Sequence, residues 1–222
     1  MTINSLPSLS SSFDSEQSEV DQHQRWDSVA AGWREWWKTF EIGAQNVNDR
    51  LIELAEIKPG QKVLDIATGI GEPAVTAARR LVALAPSKNK NRDHVLAIDI
   101  STQMLTIAKQ RAAALGLQNV IEFRQADAEK LKVEDSSFDV AFSRWGLMFM
   151  PNLNNTLSQI LRALIPGGRL ACAVWAEASK VAFISFPLNI VMRELQVSLP
   201  PPGTPGPFTL SDISTLQVWS TK

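Results

Sequence analysis

A chain of 222 residues has room for one well-buried core plus extensions. Its 45% hydrophobic and 20% charged content is ordinary for a soluble globular protein, and its formal net charge of -1 lacks the basic excess of a nucleic-acid binder. The single cysteine, Cys172, excludes an internal disulfide, and its apolar run Leu170–Val174 predicts a buried, unreactive thiol. No apolar run approaches the roughly 20 residues of a membrane-spanning helix. The first 24 residues hold no Lys or Arg but include Asp14, Glu16, Glu19 and Asp21, which argues against secretory and transit peptides and fits a reducing cytoplasm.

Residues 1–20 are Ser-rich and polar and read as a disordered tail. From about Val20 to Phe40 the pattern is helical, with Trp26, Val29, Ala30, Trp33 and Trp37 on one face, and a second helix is expected over Gln45–Ala55. Residues 21–56 therefore form a helical lid ahead of the main domain, 57–198. Lys58-Pro-Gly60 turns the chain into a first strand, Lys62–Ile66, and a helix follows from about Pro73 to Leu84. A polar loop, Pro86–His94, leads to a second strand, Val95–Asp99. Ser101 is the N-cap of a helix over Thr102–Leu115 that Gly116 ends. Strands at Val120–Arg124, Phe138–Phe142 and Arg169–Val174 follow, with a helix over Asn154–Leu164 and a turn at Pro166-Gly-Gly168. Alternating strands and helices predict an α/β fold, a doubly wound and mostly parallel sheet with helices on both faces. Its ligand crevice lies at the C-terminal strand ends, where Gly69, Gly71, Asp99, Asp127 and Ser143 all fall. Residues 199–222 form a Pro/Gly-rich tail, in which Ser211 could cap a helix from Asp212.

Asp65, Gly69 and Gly71 give the pattern Asp-x-x-x-Gly-x-Gly between an apolar strand and a helix, a place where a ligand can touch bare backbone. A nucleotide-like cofactor would put its chain at Gly69 and Gly71 and its ribose at Asp99, where one carboxylate can accept both hydroxyl protons. Asp127 and Ala128 would offer a carboxylate and an amide to an adenine edge, although Asp is also a common helix N-cap. Met104 could pack on the adenine face or simply fill the core. Ser143-Arg144-Trp145 begins a bulky run that reads as the floor of a substrate pocket, and Arg144 is hard to bury without a partner. Gly69-x-Gly71-x-x-Ala74 also fits a dinucleotide fingerprint, so an NAD-binding dehydrogenase stands as a rival. Glu72 and Asp65 beside the turn weigh against a pyrophosphate there. His23 and His94 are the two histidines; neither is assigned as a base, and no metal ligand set is expected.

The motifs Val63–Ala74, Val95–Ser101, Gln125–Leu131, Phe138–Pro151 and Leu164–Val174 occur in the order seen in class I S-adenosylmethionine-dependent methyltransferases, and the chain resembles that family. Within it, the chain resembles the branch of ubiquinone/menaquinone C-methyltransferases and their small-molecule relatives. The resemblance implies S-adenosyl-L-methionine as cofactor. Asp65, Ala67, Gly69 and Gly71 would lie at its methionine part, Asp99 and Ile100 at the ribose, Asp127, Ala128 and Met104 at the adenine, and Ser143 beside the reactive centre. Trp33, Arg144 and Trp145 would face a small-molecule methyl acceptor. The first motif, Thr68-Gly-Ile-Gly71, departs from the Gly-Gly-Thr-Gly of the quinone-modifying enzymes. The family's terminal helix and antiparallel hairpin have no room after Gly206-Pro-Phe208, so the fold is expected to lack them. An open sheet edge would follow, and with it a possible homodimer; a cofactor-binding module with little catalysis is the alternative to an enzyme.

Overall fold

A computed structural model describes residues 15–84, 94–197, 204–212 and 214, with side chains from residue 22 onward. In chain order it consists of α1 (Ser15–Ala55), β1 (Lys62–Ile66), α2 (Ala74–Leu84), β2 (His94–Asp99), α3 (Thr102–Ala114), β3 (Ile121–Gln125), β4 (Phe138–Arg144), α4 (Leu153–Ala163), β5 (Leu164–Ala173) and α5 (Ala182–Glu194). The strands form one sheet of order β3-β2-β1-β4-β5, and every pairing is parallel. The chain order reverses at β1, between β2 and β4, so their C-terminal ends open a crevice there.

Both faces of the sheet are apolar, which is why the central strands read as continuous hydrophobic runs. Val63, Val95 and Val140 point to one side and pack with Leu51 and Ile52 of α1 and Val75, Ala78 and Leu81 of α2. Leu64, Ile66, Leu96, Ile98 and Ala141 point to the other, against Ile160 and Ala163 of α4. Ser101 caps α3 as expected, its hydroxyl accepting from the Met104 amide at 3.0 Å.

Several boundaries differ from the sequence reading. The two expected N-terminal helices are one helix of 41 residues, which runs through Gly43 and begins at Ser15, inside the stretch read as a disordered tail. Gly43 sits on the wall of the crevice with open space around it, so the helix continues past a residue that local propensity disfavours. β4 extends through Ser143 and Arg144. The expected turn at Pro166-Gly-Gly168 is an irregularity within β5, where the register steps from Phe138↔Leu164 to Val140↔Arg169. Cys172 is exposed rather than buried, because β5 is bonded to β4 alone and its other edge is open among the described residues. Desolvation by the surrounding chain still raises its thiol pKa.

α5 had no counterpart in the sequence reading. None of its side chains is buried, and Phe183, Phe186 and Val191 are all more than half exposed. Part of the Pro/Gly tail folds back: the Gly206 amide donates to the Met148 carbonyl at 3.1 Å, and Leu210 is buried against the α4 side of the core. Most of the expected polar loop, the start of the tail and the rest of the expected helix at 212 lie outside the described residues. No described helix is long and apolar enough to cross a membrane.

Candidate cofactor and acceptor site

The crevice encloses a cavity of about 910 Å³, bounded by the turn after β1, the ends of β2 and β4, the segment after β3, and α1 as its roof. At the end of β1 the backbone becomes left-handed at Ala67 (φ 56°) and Gly69 (φ 56°), and Ala67, Thr68, Gly69 and Ile70 line the wall. Gly71 also has a positive φ, 103°. A Cβ there would lie 3.2 Å from Ala108 of α3, so this glycine lets the loop press against the helix behind the cavity. Gly146 has a similar need after β4, since a Cβ there would lie 2.6 Å from the Ala67 side chain and 2.8 Å from Ser143 Oγ.

Strand alternation decides which polar side chains reach the cavity. Asp65 shares its face with Val63, on the α2 side, and its carboxylate accepts the first amide of α2, Ala74 N–H, at 3.0 Å. It is wholly buried and stands behind the wall; desolvation pushes its pKa up to about 7, against the Ala74 hydrogen bond. Ser143 is also fully buried and off the cavity wall, and its hydroxyl has no hydrogen-bond partner. Its neighbour Arg144 points to the opposite face, toward α1. There its guanidinium forms a two-pronged pair with Glu41 (2.8 and 3.1 Å) and donates to Asn48 Oδ1 at 2.9 Å. These side chains are 7% and 10% exposed, so a buried ion pair ties the roof to β4 and supplies the partner Arg144 requires.

Asp99, Ile100, Met104, Asp127 and Ala128 all line the cavity. Asp99 accepts from Gly69 N–H at 2.7 Å and Ser101 N–H at 2.8 Å, which locks the carboxylate of β2 to the glycine turn of β1. Burial raises its pKa to about 6, although those amides pull the other way. Asp127 caps a short 3-10 turn through Glu129 N–H at 2.8 Å, the capping role weighed for it from sequence, and Lys130 lies 3.8 Å away.

The rest of the wall is aromatic. Trp26 and Trp33 of α1 pack over Ile70 and Met104, and Trp26 meets Phe149 edge-on at 5.1 Å. Across the cavity Trp145, left-handed at φ 59°, stacks on Trp175 at 4.2 Å and 15°, and Phe183 of α5 abuts Trp175. Trp175 and Phe183 were not picked out from sequence, because an apolar residue after a strand gives no local sign of facing a cavity. Glu72 was noted only as an argument against a dinucleotide. It lines the cavity, bonds the Thr76 amide and hydroxyl, and pairs with Arg111 at 3.4 Å; burial raises its pKa. His23 lies off the wall beside Asp27 and Gln125. No group of three or more His, Cys, Asp or Glu suited to a metal ion occurs among the described residues.

A parallel sheet of order 3-2-1-4-5 with a glycine turn after β1, an acid ending β2 and an acid after β3 is a Rossmann-like arrangement, the fold of S-adenosylmethionine-dependent methyltransferases as well as of dinucleotide-binding proteins. The sequence pattern of the family described as "Methyltransferase domain" matches residues 57–193, and the chain belongs to that family. A Brucella suis protein named ubiquinone/menaquinone biosynthesis C-methyltransferase UbiE is 32% identical over 151 residues, covering 68% of this chain and 50% of that protein. The chain thus spans about half the length of the curated relatives it matches. Among solved structures, the [4+2]-cyclase SpnF is 29% identical with a TM-score of 0.51, over 58% of this chain and 44% of that one. A Haemonchus contortus phosphoethanolamine-type N-methyltransferase 2, solved with S-adenosylhomocysteine, is 24% identical with a TM-score of 0.54, over 78% of this chain and 35% of that one, a likeness of fold.

The residues present fit S-adenosyl-L-methionine. A carboxylate has about four acceptor positions, so Asp99 retains capacity for ribose hydroxyls beside its two amide donors. The open backbone at Gly69 admits close approach, and apolar Ile100 and Met104 flank the same wall.

Proposed function

We propose that this chain transfers a methyl group from S-adenosyl-L-methionine to a small, apolar, planar acceptor of the quinol or phenol kind. The observation that carries this reading is the composition of this cavity: a polar rim of Gly69, Asp99 and Asp127 shares it with a wall of Trp26, Trp33, Trp145 and Trp175. Asp99 holds the ribose, Asp127 and Ala128 meet the adenine edge, and Ala67 and Gly69 border the methionine part. Asp65 and Gly71 act from behind the wall, the first by holding the Ala74 amide and the second by letting the loop approach Ala108, and Ser143 lies behind it beside Gly146. The sulfonium of the cofactor supplies an already activated methyl group, so positioning and exclusion of water are the main tasks left to the protein. The α1 roof and its Trp side chains perform that exclusion. Arg144, held by Glu41, presents its guanidinium 4.8 Å from the Trp145 ring and sets that wall. The cavity volume of about 910 Å³ lies near the upper end of ligand pockets, roughly 300–1,000 Å³, as expected for cofactor and acceptor together.

The resemblance to UbiE proteins supports carbon as the methylated atom and a quinol as the acceptor class. Incubation with isotopically labelled S-adenosylmethionine and a panel of soluble quinols, catechols and primary amines tests the assignment. Label transferred to a quinol ring carbon is the expected result; transfer to amines alone would overturn the acceptor class.

A further inference from the structure

A hydrogen-bonded chain joins the roof helix to the cofactor carboxylate by a route that the proposed reaction does not require. Asp27 of α1 points down at the start of α3. Its Oδ1 accepts from Ser101 Oγ at 2.5 Å and from the Gln103 amide at 3.2 Å. Ser101 Oγ in turn accepts from Met104 N–H, while the Ser101 amide donates to Asp99 Oδ1 at 2.8 Å. Asp99 Oδ2 closes the chain on the Gly69 amide at 2.7 Å. Asp27 is 74 residues from Ser101 in sequence, so it serves as a second N-cap supplied from a distant element of the same chain. The residue that fixes the helix start beside the candidate ribose carboxylate is carried by the element that roofs the cavity.

We propose that Asp27 is a positioning residue of the cofactor site, coupling closure of α1 to the orientation and charge of Asp99. This rests on the cofactor reading above. With α1 docked, Asp27 holds Ser101 in the one rotamer that caps α3, and the Ser101 amide and Gly69 amide then fix both oxygens of Asp99. With α1 displaced, the α3 cap loses its outer acceptor and the link to the roof is gone. By reciprocity, a ligand that orders Asp99 favours the docked roof.

The ionisable groups around Asp99 are few. From α1 it faces Asp27, whose charge raises the Asp99 pKa, and behind Asp27 stands His23, its Nε2 3.6 Å from Asp27 Oδ2. On the cavity wall the other ionisable groups are Asp127, Glu129 and Lys130 beyond β3, and Glu72 and Arg144 toward the acceptor end. Against the upward push of desolvation, the Ser101 and Gln103 hydrogen bonds and the His23 imidazole keep Asp27 below its ordinary value, so it stays charged where Asp99, at about 6, takes up its proton.

Two variants separate positioning from plain capping. Asp27→Asn keeps an acceptor for Ser101 and Gln103 but removes the charge; Asp27→Ala removes both. Titration with S-adenosylhomocysteine from pH 5 to 8 should show Asp27→Ala weakened about five- to tenfold at pH 7.5, the size of a lost N-cap. Asp27→Asn should hold near wild-type affinity at pH 7.5, with the acid limb of its profile moved to lower pH. Hydrogen exchange without any ligand should speed at Gln103 and Met104 in Asp27→Ala and stay near wild type in Asp27→Asn. That second readout is independent of cofactor: if the wild type binds no S-adenosylhomocysteine, the cofactor reading fails, while the exchange data still judge the link between α1 and α3. Wild-type affinity in Asp27→Ala, an unshifted acid limb in Asp27→Asn, or unchanged exchange in Asp27→Ala overturns the proposal.

Discussion

Asp99 is the residue on which the site turns, and its chemistry gives a prediction with a definite sign. Its carboxyl group accepts ribose hydroxyls most strongly when ionised, and burial has raised its pKa to about 6. Affinity for S-adenosylhomocysteine is therefore expected to hold above pH 7 and fall as pH drops through about 6. Asp99→Ala should lower it by about 1.5–3 kcal/mol at neutral pH, the range for a hydrogen bond to a charged group, as read by calorimetry on a variant with native circular dichroism. Asp65 gives a stability prediction instead. Its folded pKa of about 7 lies above its ordinary 3.8, so the native state binds the proton more tightly than the unfolded chain. The contribution is fully present below pH 3.8 and is lost as pH rises through about 7. Thermal melts should show Tm decreasing from pH 5 to 8, and Asp65→Asn, which keeps an acceptor for the Ala74 amide, should flatten that slope. Arg144 belongs to a third class, the buried ion pair. Arg144→Met leaves Glu41 charged and unpaired and should cost roughly 3–5 kcal/mol. Adding Glu41→Gln should restore much of the lost Tm, whereas two independent, additive losses would show that the pair is not the source.

At the scale of elements, α1 carries the roof, and its register explains what the sequence made legible. The stripe of Trp26, Ala30, Trp33 and Trp37 repeats at helical spacing, so a packed face was legible from periodicity, though not what it packs against, and Val29 of the same expected face is exposed. The strand ends were equally legible, because an apolar run stopping at Asp99 or at a glycine turn is a local pattern. What was not legible is non-local. The partner of Arg144 is Glu41, 103 residues away, and that of Ser101 is Asp27, 74 residues away; neither spacing leaves a periodic trace. The break expected near Gly43 follows the local cost of glycine in a helix, roughly 1 kcal/mol against Ala, which packing of Ala44, Leu51 and Ala55 overrides. The stretch Pro166-Gly-Gly168 signals a turn locally, but pairing with β4 draws it into β5 as an irregularity. A truncation pair tests the roof. Deleting residues 1–40 removes Asp27, Trp26 and Trp33, and should abolish most methyl transfer and weaken cofactor binding, while deleting residues 1–18 should leave both near wild type. Equal activity of the two truncations would contradict the roof.

For the whole molecule, the described structure leaves one side uncovered: β5 has an unpaired edge, and α5 exposes Phe186 at 68% and Val191 at 51%. An open strand edge and an exposed apolar helix each invite pairing with another chain. Apparent size on gel filtration should rise with protein concentration, and Phe186→Glu should reduce that rise; a concentration-independent monomer would show the edge to be inert. The central claim is that the crevice at the β2–β1–β4 strand ends is built for S-adenosyl-L-methionine. The most direct measurement is isothermal titration of the full chain at pH 7.5 with S-adenosylhomocysteine and, separately, with NAD. The account predicts one-site binding of S-adenosylhomocysteine, lost in Asp99→Ala, and no binding of NAD; saturable NAD binding without S-adenosylhomocysteine binding would contradict it.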